Sequence, residues 1–506
     1  MTTATTCISG RETTIRKRKW LPRGGLFSTS KKWYNIEMEK SYITTAIPYV
    51  NGNPHLGHAM DYLLADVLRR YMMLQGKTVR LQAGTDEHGS KIFKKAAEQG
   101  IPIQDYVDQN SKSFQDFIHS LDVEYTDFVR TTDADHMRRC QAIWKKLSDH
   151  IYKDKYEGWY CEGCEGFVTD KEHDENEGIC PDHKKPYTKL SEENYYLRIA
   201  DFKDEIREAI EKDEMKITPA FRKKEFLNLL KDMPDVSISR PKEQVEWGVP
   251  VPGDDSQVMY VWIDALSNYI TILGYPEQDI SDSWPANTQI VGKDILRFHA
   301  GIWPAMLMGL GLPLPKNLLA HGFITVNGEK MSKSIGNVIA PGEILEKHGL
   351  IPFRYYFLRH ASTTDDADFT WDKYEASYNE LANDLGNLVQ RLATLCKKNE
   401  VAGVKGELKD NADFDARMSK YEFNFAFDVL WDEIQNLNKR IDEEKPWALA
   451  KTEPEKAKEV LKNLIQDLSN TNVRLAIFLP ETSAKIAEIF EAEHITPPET
   501  PLFPKA

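Results

Sequence analysis

The feature that most constrains this chain is an early strand-turn-helix unit, ITTAIPYVNGNPHLGH at residues 43–58. Its first apolar residues fit a short buried strand that Pro48 ends, and the following Asn-Gly-Asn-Pro run predicts a turn. Apolar residues at helical spacing then predict a helix that stops at Gly76. His55 and His58 therefore lie where a strand gives way to the start of a helix.

Such a junction is suited to holding a phosphate group. Unpaired backbone N–H groups and the helix dipole point to it, and two imidazoles add hydrogen-bond donors without permanent charge. On these residues alone, a metal-binding pair and two unrelated surface histidines remain as alternatives.

A second stretch far downstream, EKMSKSIGN at residues 329–337, helps to decide between these functions of the histidines. The PHLGH segment resembles the HIGH signature of class I aminoacyl-tRNA synthetases, and the preceding AIPYVNG resembles its methionyl version. The run from Lys330 to Ser334 matches the KMSKS signature of the same class without a departure, and Lys333 is its second lysine. A lysine-rich surface loop is the alternative for this run alone. With both motifs in the expected order, the chain is identified as a member of the methionyl-tRNA synthetase family.

Composition sets the wider limits. A chain of 506 residues is too long for one core and implies about three domains. Its 41% apolar and 28% charged residues are those of an ordinary soluble protein, and no apolar run is long enough to span a bilayer. The net charge of −14 argues against a protein coated in nucleic acid but permits a tRNA partner on a local basic face. Six cysteines without a disulfide framework favour a reducing compartment.

Residues 1–37 are basic, rich in Ser and Thr, and poor in acidic residues. They lack the apolar segment of a secretory signal. This composition fits a transit peptide, a disordered tail, or an extended gene start before a true first residue at Met38. We expect a cytoplasmic protein, with a mitochondrial or plastid location as the alternative if the segment is a transit peptide.

A second strand is predicted at residues 78–83, and the polar run GTDEHG follows it. In an open parallel sheet, ligands bind at the carboxyl ends of the strands. The family resemblance implies that Asp86 contacts the α-amino group of the substrate. A loop aspartate that caps the next helix is the alternative.

Metal-ligand spacing appears at Cys161, Cys164, Cys180 and His183, which form C-x2-C-x15-C-x2-H. Two close pairs can supply four tetrahedral ligands, and a filled shell of three thiolates and one imidazole is typical of one structural Zn²⁺ ion. A redox Cys-x-x-Cys is the weaker alternative because a second pair with its histidine follows. His173 lies inside the loop and is an alternative ligand. The resemblance is to family members with a single zinc knuckle.

The sheet is predicted to resume from Val236, with further buried strands at residues 259–265 and 290–295. The resemblance places Arg240 on the active-site side and implies that Gly292 and Asp294 hold the ATP ribose. It also implies a pocket for the methionine side chain lined by Ala46, Ile47, Tyr49, Trp262, Ile295 and His299. Apolar and aromatic walls suit a polarisable thioether. Leu266, where many relatives have proline, is a departure that could reshape the pocket wall.

From residue 374 onward, three segments with apolar residues at helical spacing predict a helix bundle. The resemblance implies that Asn387 and Arg391, one helical turn apart, read the anticodon, and that Trp447 stacks on one of its bases. Aromatic stacking combined with amide and guanidinium contacts is how single-stranded RNA is recognised. A core tryptophan is the alternative for Trp447.

The expected reaction is attack of the methionine carboxylate on the α-phosphate of ATP, followed by transfer to the terminal ribose of tRNA(Met). In this scheme His55, His58 and the nearby Gly57 serve the α-phosphate region. Lys330 and Lys333 neutralise the departing phosphates, together with Mg²⁺ bound to ATP.

The expected fold class is α/β, with a Rossmann-type doubly wound parallel sheet, a zinc-binding connective insertion, and an all-α anticodon-binding bundle. The predicted divisions are 1–37 (extension), 38–148 (first catalytic half), 149–236 (insertion), 237–325 (second catalytic half), 326–373 (KMSKS loop and stem-contact segment) and 374–506 (bundle).

Two other functions compete with this interpretation. A cysteinyl synthetase also uses zinc, but its metal binds substrate and needs an open position. A non-catalytic tRNA-binding protein would not need both histidines and both lysines. Many family members continue into a C-terminal dimerising module, whereas this chain stops before it, so the resemblance implies a monomer. Because no apolar run is long enough to span a bilayer, we expect no membrane partner.

Overall fold

The computed structural model describes residues 39–161, 166–181, 184–331 and 339–504. The predicted extension at residues 1–37 lies outside them, as do the predicted site residues Cys164, His183 and Lys333.

The strands of the described chain follow one another at short intervals in its first three quarters. They are β1 Lys40–Thr45, β2 Thr78–Thr85, β3 Asp127–Arg130, β4 Ile151–Cys161, β5 Gly166–Val168, β6 Thr188–Leu197, β7 Lys216–Thr218, β8 Val236–Ser237, β9 Ser239–Pro241, β10 Pro250–Val251, β11 Asp254–Met259, β12 Thr288–Gly292, β13 Asn317–His321, β14 Ile324–Val326, β15 Glu329–Lys330 and β16 Ala367–Phe369.

The α-helices alternate with these strands, and every described element after β16 is helical. They are α1 Leu56–Leu74, α2 Ser90–Gln99, α3 Ile103–Ser120, α4 Ala134–Lys146, α5 Asp170–Glu175, α6 Lys203–Glu211, α7 Ala220–Asp232, α8 Val261–Thr271, α9 Trp303–Gly309, α10 Pro341–His348, α11 Leu350–Tyr355, α12 Trp371–Leu381, α13 Asn387–Lys398, α14 Ala412–Ser419, α15 Phe423–Glu444, α16 Pro446–Thr452, α17 Pro454–Phe478 and α18 Pro480–Phe490. None of them is both long enough and apolar enough to cross a lipid bilayer.

Six strands form one parallel sheet in the order β3-β2-β1-β12-β13-β7. The chain order reverses beside β1, because β2 lies on one side of it and β12 on the other. Ligands bind at such a reversal, in the crevice outside the carboxyl ends of the strands. The predicted Rossmann-type sheet is confirmed.

The sheet is buried on both faces because helices cover each face, and successive residues of its strands point to opposite faces. Ile43 of β1 and Ile290 of β12 pack into a core with α1 and α3. Their neighbours Tyr42 and Val291 pack into a second core with α4, α8 and α9. The first core continues into the C-terminal helices, so the bundle is attached to the α1 face of the sheet.

An antiparallel sheet, in the order β5-β4-β6-β8, is built from strands of the predicted insertion, which also contains α5, α6 and α7. Strand β7 lies in the same part of the sequence but pairs with β13 at the edge of the parallel sheet. The prediction that the sheet resumes from Val236 is therefore wrong, because β7 precedes that residue and Val236 itself pairs with β6 in the antiparallel sheet. A strand of three residues, Lys216–Thr218, is too short to display a hydrophobic period.

The predicted strand at residues 259–265 is also wrong. Strand β11 ends at Met259, and helix α8 begins at Val261. The segment is apolar at nearly every residue and mostly buried, so its composition fits the period of a helix as well as that of a strand. The strand predicted at 290–295 stops earlier, at Gly292. The predicted helix bundle is confirmed by α12 to α18.

Candidate active site

A cleft of about 380 Å³ opens at the carboxyl ends of β1, β2, β12 and β13. It is lined by every predicted ATP-binding, methionine-binding and histidine residue whose side chain the structure describes: Ala46, Ile47, Tyr49, His55, Gly57, His58, Asp86, Trp262, Gly292, Asp294, Ile295 and His299. These residues come from four separate parts of the chain. The strand order brings them together, as the position of the sheet reversal requires.

His55 and His58 stack face to face at the start of α1, with their ring centroids 3.7 Å apart. Nδ1 of His55 accepts a hydrogen bond from the Gly57 backbone N–H (3.1 Å), and Nδ1 of His58 accepts one from the His55 backbone N–H (3.2 Å). In each neutral ring the proton therefore resides on Nε2. Both rings can donate from Nε2 to an anion in the cleft.

The His58 ring is held neutral. Burial lowers its pKa well below the ordinary value, and the nearby His55 and His321 rings lower it further. Phe114 closes one side of the ring edge-on, with centroids 5.1 Å apart. A neutral donor can stabilise charge that develops on a phosphate without the free-energy cost of desolvating a cation.

Asp61 and His321 form an ion pair across the cleft that sequence reasoning did not select. Nε2 of His321 lies 2.9 Å from Oδ1 of Asp61, and both residues line the cavity. Burial lowers the pKa of His321, but the Asp61 carboxylate, the Gly322 carbonyl and the Asp294 carboxylate together raise it by more, so the net shift is upward. Two signals were available: Asp61 lies one helical turn after His58, and His321 ends strand β13 at the ligand-binding edge.

Helix α8 supplies one wall of the cleft. Trp262, Ala265, Leu266 and Tyr269 all line the cavity, at the spacing of one helical face. Trp262 stacks on Phe298, with ring centroids 3.8 Å apart and planes 10° from parallel. Tyr269 was missed because a strand was predicted at residues 259–265 and no helix was predicted that would place residue 269 on the same face as residue 262.

His299 is buried behind this wall and makes two hydrogen bonds. Its Nδ1 lies 3.0 Å from the Ile295 carbonyl, and its Nε2 lies 2.7 Å from the Tyr269 hydroxyl. Burial lowers the pKa of His299 to about 4, although the Ile295 carbonyl acts in the opposite direction. The ring is therefore neutral near pH 7, with Nδ1–H donating and Nε2 accepting from Tyr269.

Asp86 is fixed against the loop that follows β1. Its backbone N–H donates to the Pro48 carbonyl (2.9 Å), and its carbonyl accepts from the Val50 N–H (3.1 Å). Gly89, three residues on, has φ +110°, and a Cβ there would collide with the Tyr49 hydroxyl. A glycine is required on both grounds.

Gly292 and the Asp294 side chain also approach each other closely. A Cβ on Gly292 would lie 2.7 Å from Oδ1 of Asp294, so only glycine lets this carboxylate fold back over the end of β12. Both line the cleft, where the carboxylate can accept hydrogen bonds from ribose hydroxyls.

The KMSKS segment is entered through a β-hairpin. Strands β14 and β15 pair across Asn327 and Gly328, which both have positive φ, and Lys330 pairs with Thr325. The Asp368 carboxylate accepts from the Gly328 N–H (2.6 Å) and the Thr325 hydroxyl (2.9 Å). The hairpin is thereby tied to β16, while Lys333 lies outside the described residues.

Behind the α8 wall, His136, Cys140 and Asp264 place their donor atoms within 4.8 Å of one another. Donors of this type could hold a metal ion. However, Nε2 of His136 lies 2.8 Å from Oδ1 of Asp264, and Nδ1 lies 2.7 Å from the Thr271 hydroxyl. These are ordinary hydrogen-bond distances, so we interpret the cluster as a hydrogen-bond network and not as a metal site.

Of the predicted zinc ligands, Cys161 and Cys180 lie within the described residues. Both are buried in one small cluster with Tyr187. The Cys180 N–H donates to the Lys185 carbonyl (2.9 Å), and the Cys180 carbonyl accepts from the Lys184 N–H (2.8 Å). His173, the alternative ligand, stacks on Trp159 with ring centroids 3.9 Å apart.

The predicted anticodon residues lie in the bundle, apart from the cleft. Asn387 is exposed at the first residue of α13, and Arg391 on the same helix pairs with Asp442 at 2.6 Å. Trp447 is 41% exposed near the start of α16, so the alternative of a core tryptophan is wrong.

Comparisons with known proteins agree with this arrangement. The family model described as tRNA synthetases class I (M) matches residues 41–190 and 182–393. Methionine-tRNA ligase of Clostridium acetobutylicum is 40% identical over 476 residues, covering 89% of this chain and 73% of that protein. The Brucella suis enzyme of the same name is 38% identical, and the match covers 90% of this chain and 92% of that protein.

A solved structure, Mycobacterium tuberculosis methionyl-tRNA synthetase in complex with methionyl-adenylate, superposes with a TM-score of 0.84 and 32% identity. The match covers 92% of this chain and 100% of that one. With the strand order, the cleft and these matches in agreement, the chain belongs to the methionine-tRNA ligase family of class I aminoacyl-tRNA synthetases.

Proposed function

We propose that this chain activates L-methionine with ATP to form methionyl-adenylate and then transfers the methionyl group to the 3′ end of tRNA(Met). One observation carries the proposal: the twelve described residues assigned to ATP, methionine and the phosphates line a single cleft. Its position at the reversal of strand order is where a nucleotide-binding sheet holds its ligand.

In the first step, a methionine carboxylate oxygen attacks the α-phosphorus of ATP, and the bond to the pyrophosphate oxygen breaks. Negative charge grows on the α-phosphate oxygens and on the departing pyrophosphate. The Nε2–H groups of His55 and His58 are the donors we assign to the α-phosphate. We assign Lys330 and Lys333 to the leaving phosphates, where Mg²⁺ that arrives with ATP supplies further positive charge.

Methionine is held by its two ends. The stacked pair Trp262 and Phe298, together with Ile295, offers an apolar and polarisable wall to the thioether. The neutral His299 ring closes the pocket without presenting a charge. The Asp86 carboxylate, which is buried at the pocket rim, is assigned to the α-amino group.

The ATP ribose is assigned to Gly292 and Asp294, whose close approach leaves a carboxylate at the end of β12. In the second step the terminal ribose hydroxyl of tRNA attacks the carbonyl carbon of the adenylate. The bond from that carbon to the phosphate oxygen breaks, AMP leaves, and the hydroxyl proton is lost.

The insertion is proposed to hold one structural Zn²⁺ through Cys161, Cys164, Cys180 and His183. The burial of the two described cysteines in one cluster supports this assignment. A filled ligand shell would fix the fold of the insertion and take no part in the chemistry.

Anticodon recognition is assigned to Asn387, Arg391 and Trp447. The exposed indole supports a stacking role for Trp447. The cytoplasmic location and the monomeric state remain predictions, which organelle import assays and sedimentation equilibrium would test.

The decisive experiment is amino-acid-dependent ATP–pyrophosphate exchange by the full chain, with each standard amino acid in turn. We expect exchange with methionine only, and a fall of about 10²–10³ in Lys333→Ala through loss of transition-state charge stabilisation. Lys409→Ala, at an exposed lysine that pairs with Glu407, is the matched control and should behave as wild type. Exchange with no amino acid, or with a different one, would contradict the proposal.

A further inference from the structure

A second cavity, of about 370 Å³, adjoins the catalytic cleft. It is lined by Asn51, Lys91, Lys94, Lys95 and Glu98. Asn51 and Lys91 line the catalytic cleft as well, so the two cavities meet at these residues. A ligand that extends out of the cleft past Asn51 would enter the second cavity.

The lysines reach this cavity because of how α2 packs. Ile92 and Ala96, four residues apart, are buried against Val50 in a small core beneath the loop that carries the two histidines. Residues 91, 94, 95 and 98 therefore share another face of the same helix. We call Lys91, Lys94 and Lys95 the lysine face. Its position relative to the cleft is fixed by the packing of α2 on that loop.

The charge around the second cavity opposes that of the whole molecule. Its described lining contains three lysines and one glutamate, whereas the chain carries a net charge of −14. Glu98 pairs with Lys95 at 2.7 Å, but both side chains are at least half exposed, so this ion pair is weak. A local basic surface on an acidic protein is the electrostatic footprint of a polyanion-binding site.

We propose that the lysine face binds backbone phosphates in the single-stranded 3′ end of tRNA while its terminal ribose lies in the cleft. This inference rests on the proposed function. A ribose at the adenylate requires the preceding nucleotides to leave the cleft through its mouth. A polynucleotide strand occupies both cavities at once, which ATP, with its phosphates assigned to the histidines and Lys333, has no need to do.

The residue type fits this role. Flexible lysines contact phosphates as point charges without reading bases, and the 3′ single strand needs to be positioned rather than identified. Such contacts also depend strongly on salt, because each one releases condensed counterions.

The test compares two reactions of the full chain. In Lys94→Gln/Lys95→Gln, we expect kcat/KM for tRNA(Met) in aminoacylation to fall roughly tenfold more than methionine-dependent pyrophosphate exchange, which needs no tRNA. The slope of log kcat/KM against log salt should decrease by about 1.4, or ~0.7 for each lost single-strand contact. Lys91 is left intact because it also lines the catalytic cleft.

Lys112→Gln on α3 is the matched control, because Lys112 is exposed and paired with Asp116 as Lys95 is with Glu98. It should match wild type in both reactions. A second arm uses tRNA lacking its 3′ single-stranded nucleotides. Wild type should bind this RNA more weakly than full-length tRNA, and this difference should be smaller in the double variant, which keeps only Lys91 and the contacts inside the cleft.

Two results would overturn the inference. A parallel fall in exchange, with a raised KM for pyrophosphate, would assign these lysines to pyrophosphate. Transfer kinetics equal to those of Lys112→Gln would show that the lysines bind no substrate. Failure of exchange in wild type would instead refute the proposed function, so the two failures are distinguishable.

Discussion

Nδ1 of His88 lies 2.6 Å from Oδ2 of Asp264, and both residues are buried. His88 belongs to the loop that carries Asp86, and Asp264 lies in the first turn of α8, which carries Trp262. The pair therefore joins the loop assigned to the amino group with the wall assigned to the thioether. His136 occupies the other carboxylate oxygen at 2.8 Å and connects α4 to the same point.

This geometry predicts an acid-sensitive contribution to stability. Burial would raise the pKa of Asp264, but His88 and His136 lower it by more, so the net shift is well downward. A group with a depressed folded-state pKa stabilises the fold above its unfolded pKa, about 4, and loses that contribution as the pH falls. Asp264→Asn should cost about 1–3 kcal/mol at pH 7, with the difference shrinking below pH 4.

Urea unfolding of both proteins between pH 3 and about 8 measures this effect. Asp255→Asn, at an exposed aspartate, is the control and should lie close to wild type throughout. A constant difference across the whole pH range would show that Asp264 acts through packing and not through its charge.

The neutral ring of His58 predicts how the activation step responds to pH. Its lowered pKa keeps the ring uncharged from mildly acidic to alkaline pH, so exchange should show no change that tracks protonation of His58 near pH 6.5. His58→Ala should lower kcat for exchange about 10²–10³-fold by removing a donor to the transition state. His58→Asn, which keeps an N–H donor, should lose less.

His119→Ala, at an exposed histidine of α3, provides the comparison and should retain wild-type exchange. Equal losses in the Ala and Asn variants of His58 would argue against a hydrogen-bonding role for the Nε2–H group.

The contact between Tyr269 and His299 predicts an effect on methionine binding. Tyr269→Phe would leave the buried Nε2 of His299 without its donor, and such a loss costs about 1–2 kcal/mol. We expect KM for methionine in the exchange reaction to rise roughly 5–20-fold with little change in kcat, because the wall contacts substrate and transition state alike. Tyr275→Phe, outside the cleft, should leave KM unaltered. A fall in kcat at constant KM would disprove this assignment.

The zinc assignment predicts a loss of metal with limited effect on chemistry. Cys180→Ser should reduce bound zinc from about one ion per chain to nearly none and expose the insertion to proteolysis, since a structural zinc ion supplies folding energy. Exchange at saturating substrate should change by less than about tenfold because the closed shell offers no reactive position. Metal analysis of purified protein measures the content. Cys396→Ser, at a buried cysteine of the bundle, should keep its zinc; equal zinc in both variants would rule out Cys180 as a ligand.

The exposed indole of Trp447 predicts a selective effect on tRNA. Trp447→Ala should raise KM for tRNA(Met) roughly 10–100-fold, because stacking contributes about 1–3 kcal/mol per base. Trp447→Phe should recover part of the loss. Phe425→Ala removes another aromatic side chain of the bundle, 51% exposed, and is the matched control for surface hydrophobicity. Similar KM values in the two alanine variants would contradict anticodon stacking.

The sequence by itself determined the features that depend on local order. The turn between β1 and α1, the long amphipathic helices of the bundle and the relative order of the two signature motifs each arise from residues near one another in the chain. Local conformational preference and hydrophobic period act over such distances. The resemblance carried by those motifs then assigned twelve residues that the fold brings into one cleft.

Tertiary structure alone decided the features that depend on distant partners. Residues 259–265 are apolar enough to suit either period, and packing against α4 made most of them a helix, which brought Tyr269 to the cleft. Asp61 and His321, 260 residues apart, meet only because β13 lies two strands from β1 in the sheet. The position of the lysine face was decided in the same way, because the burial of Ile92 and Ala96 places its three lysines at the cavity that adjoins the cleft.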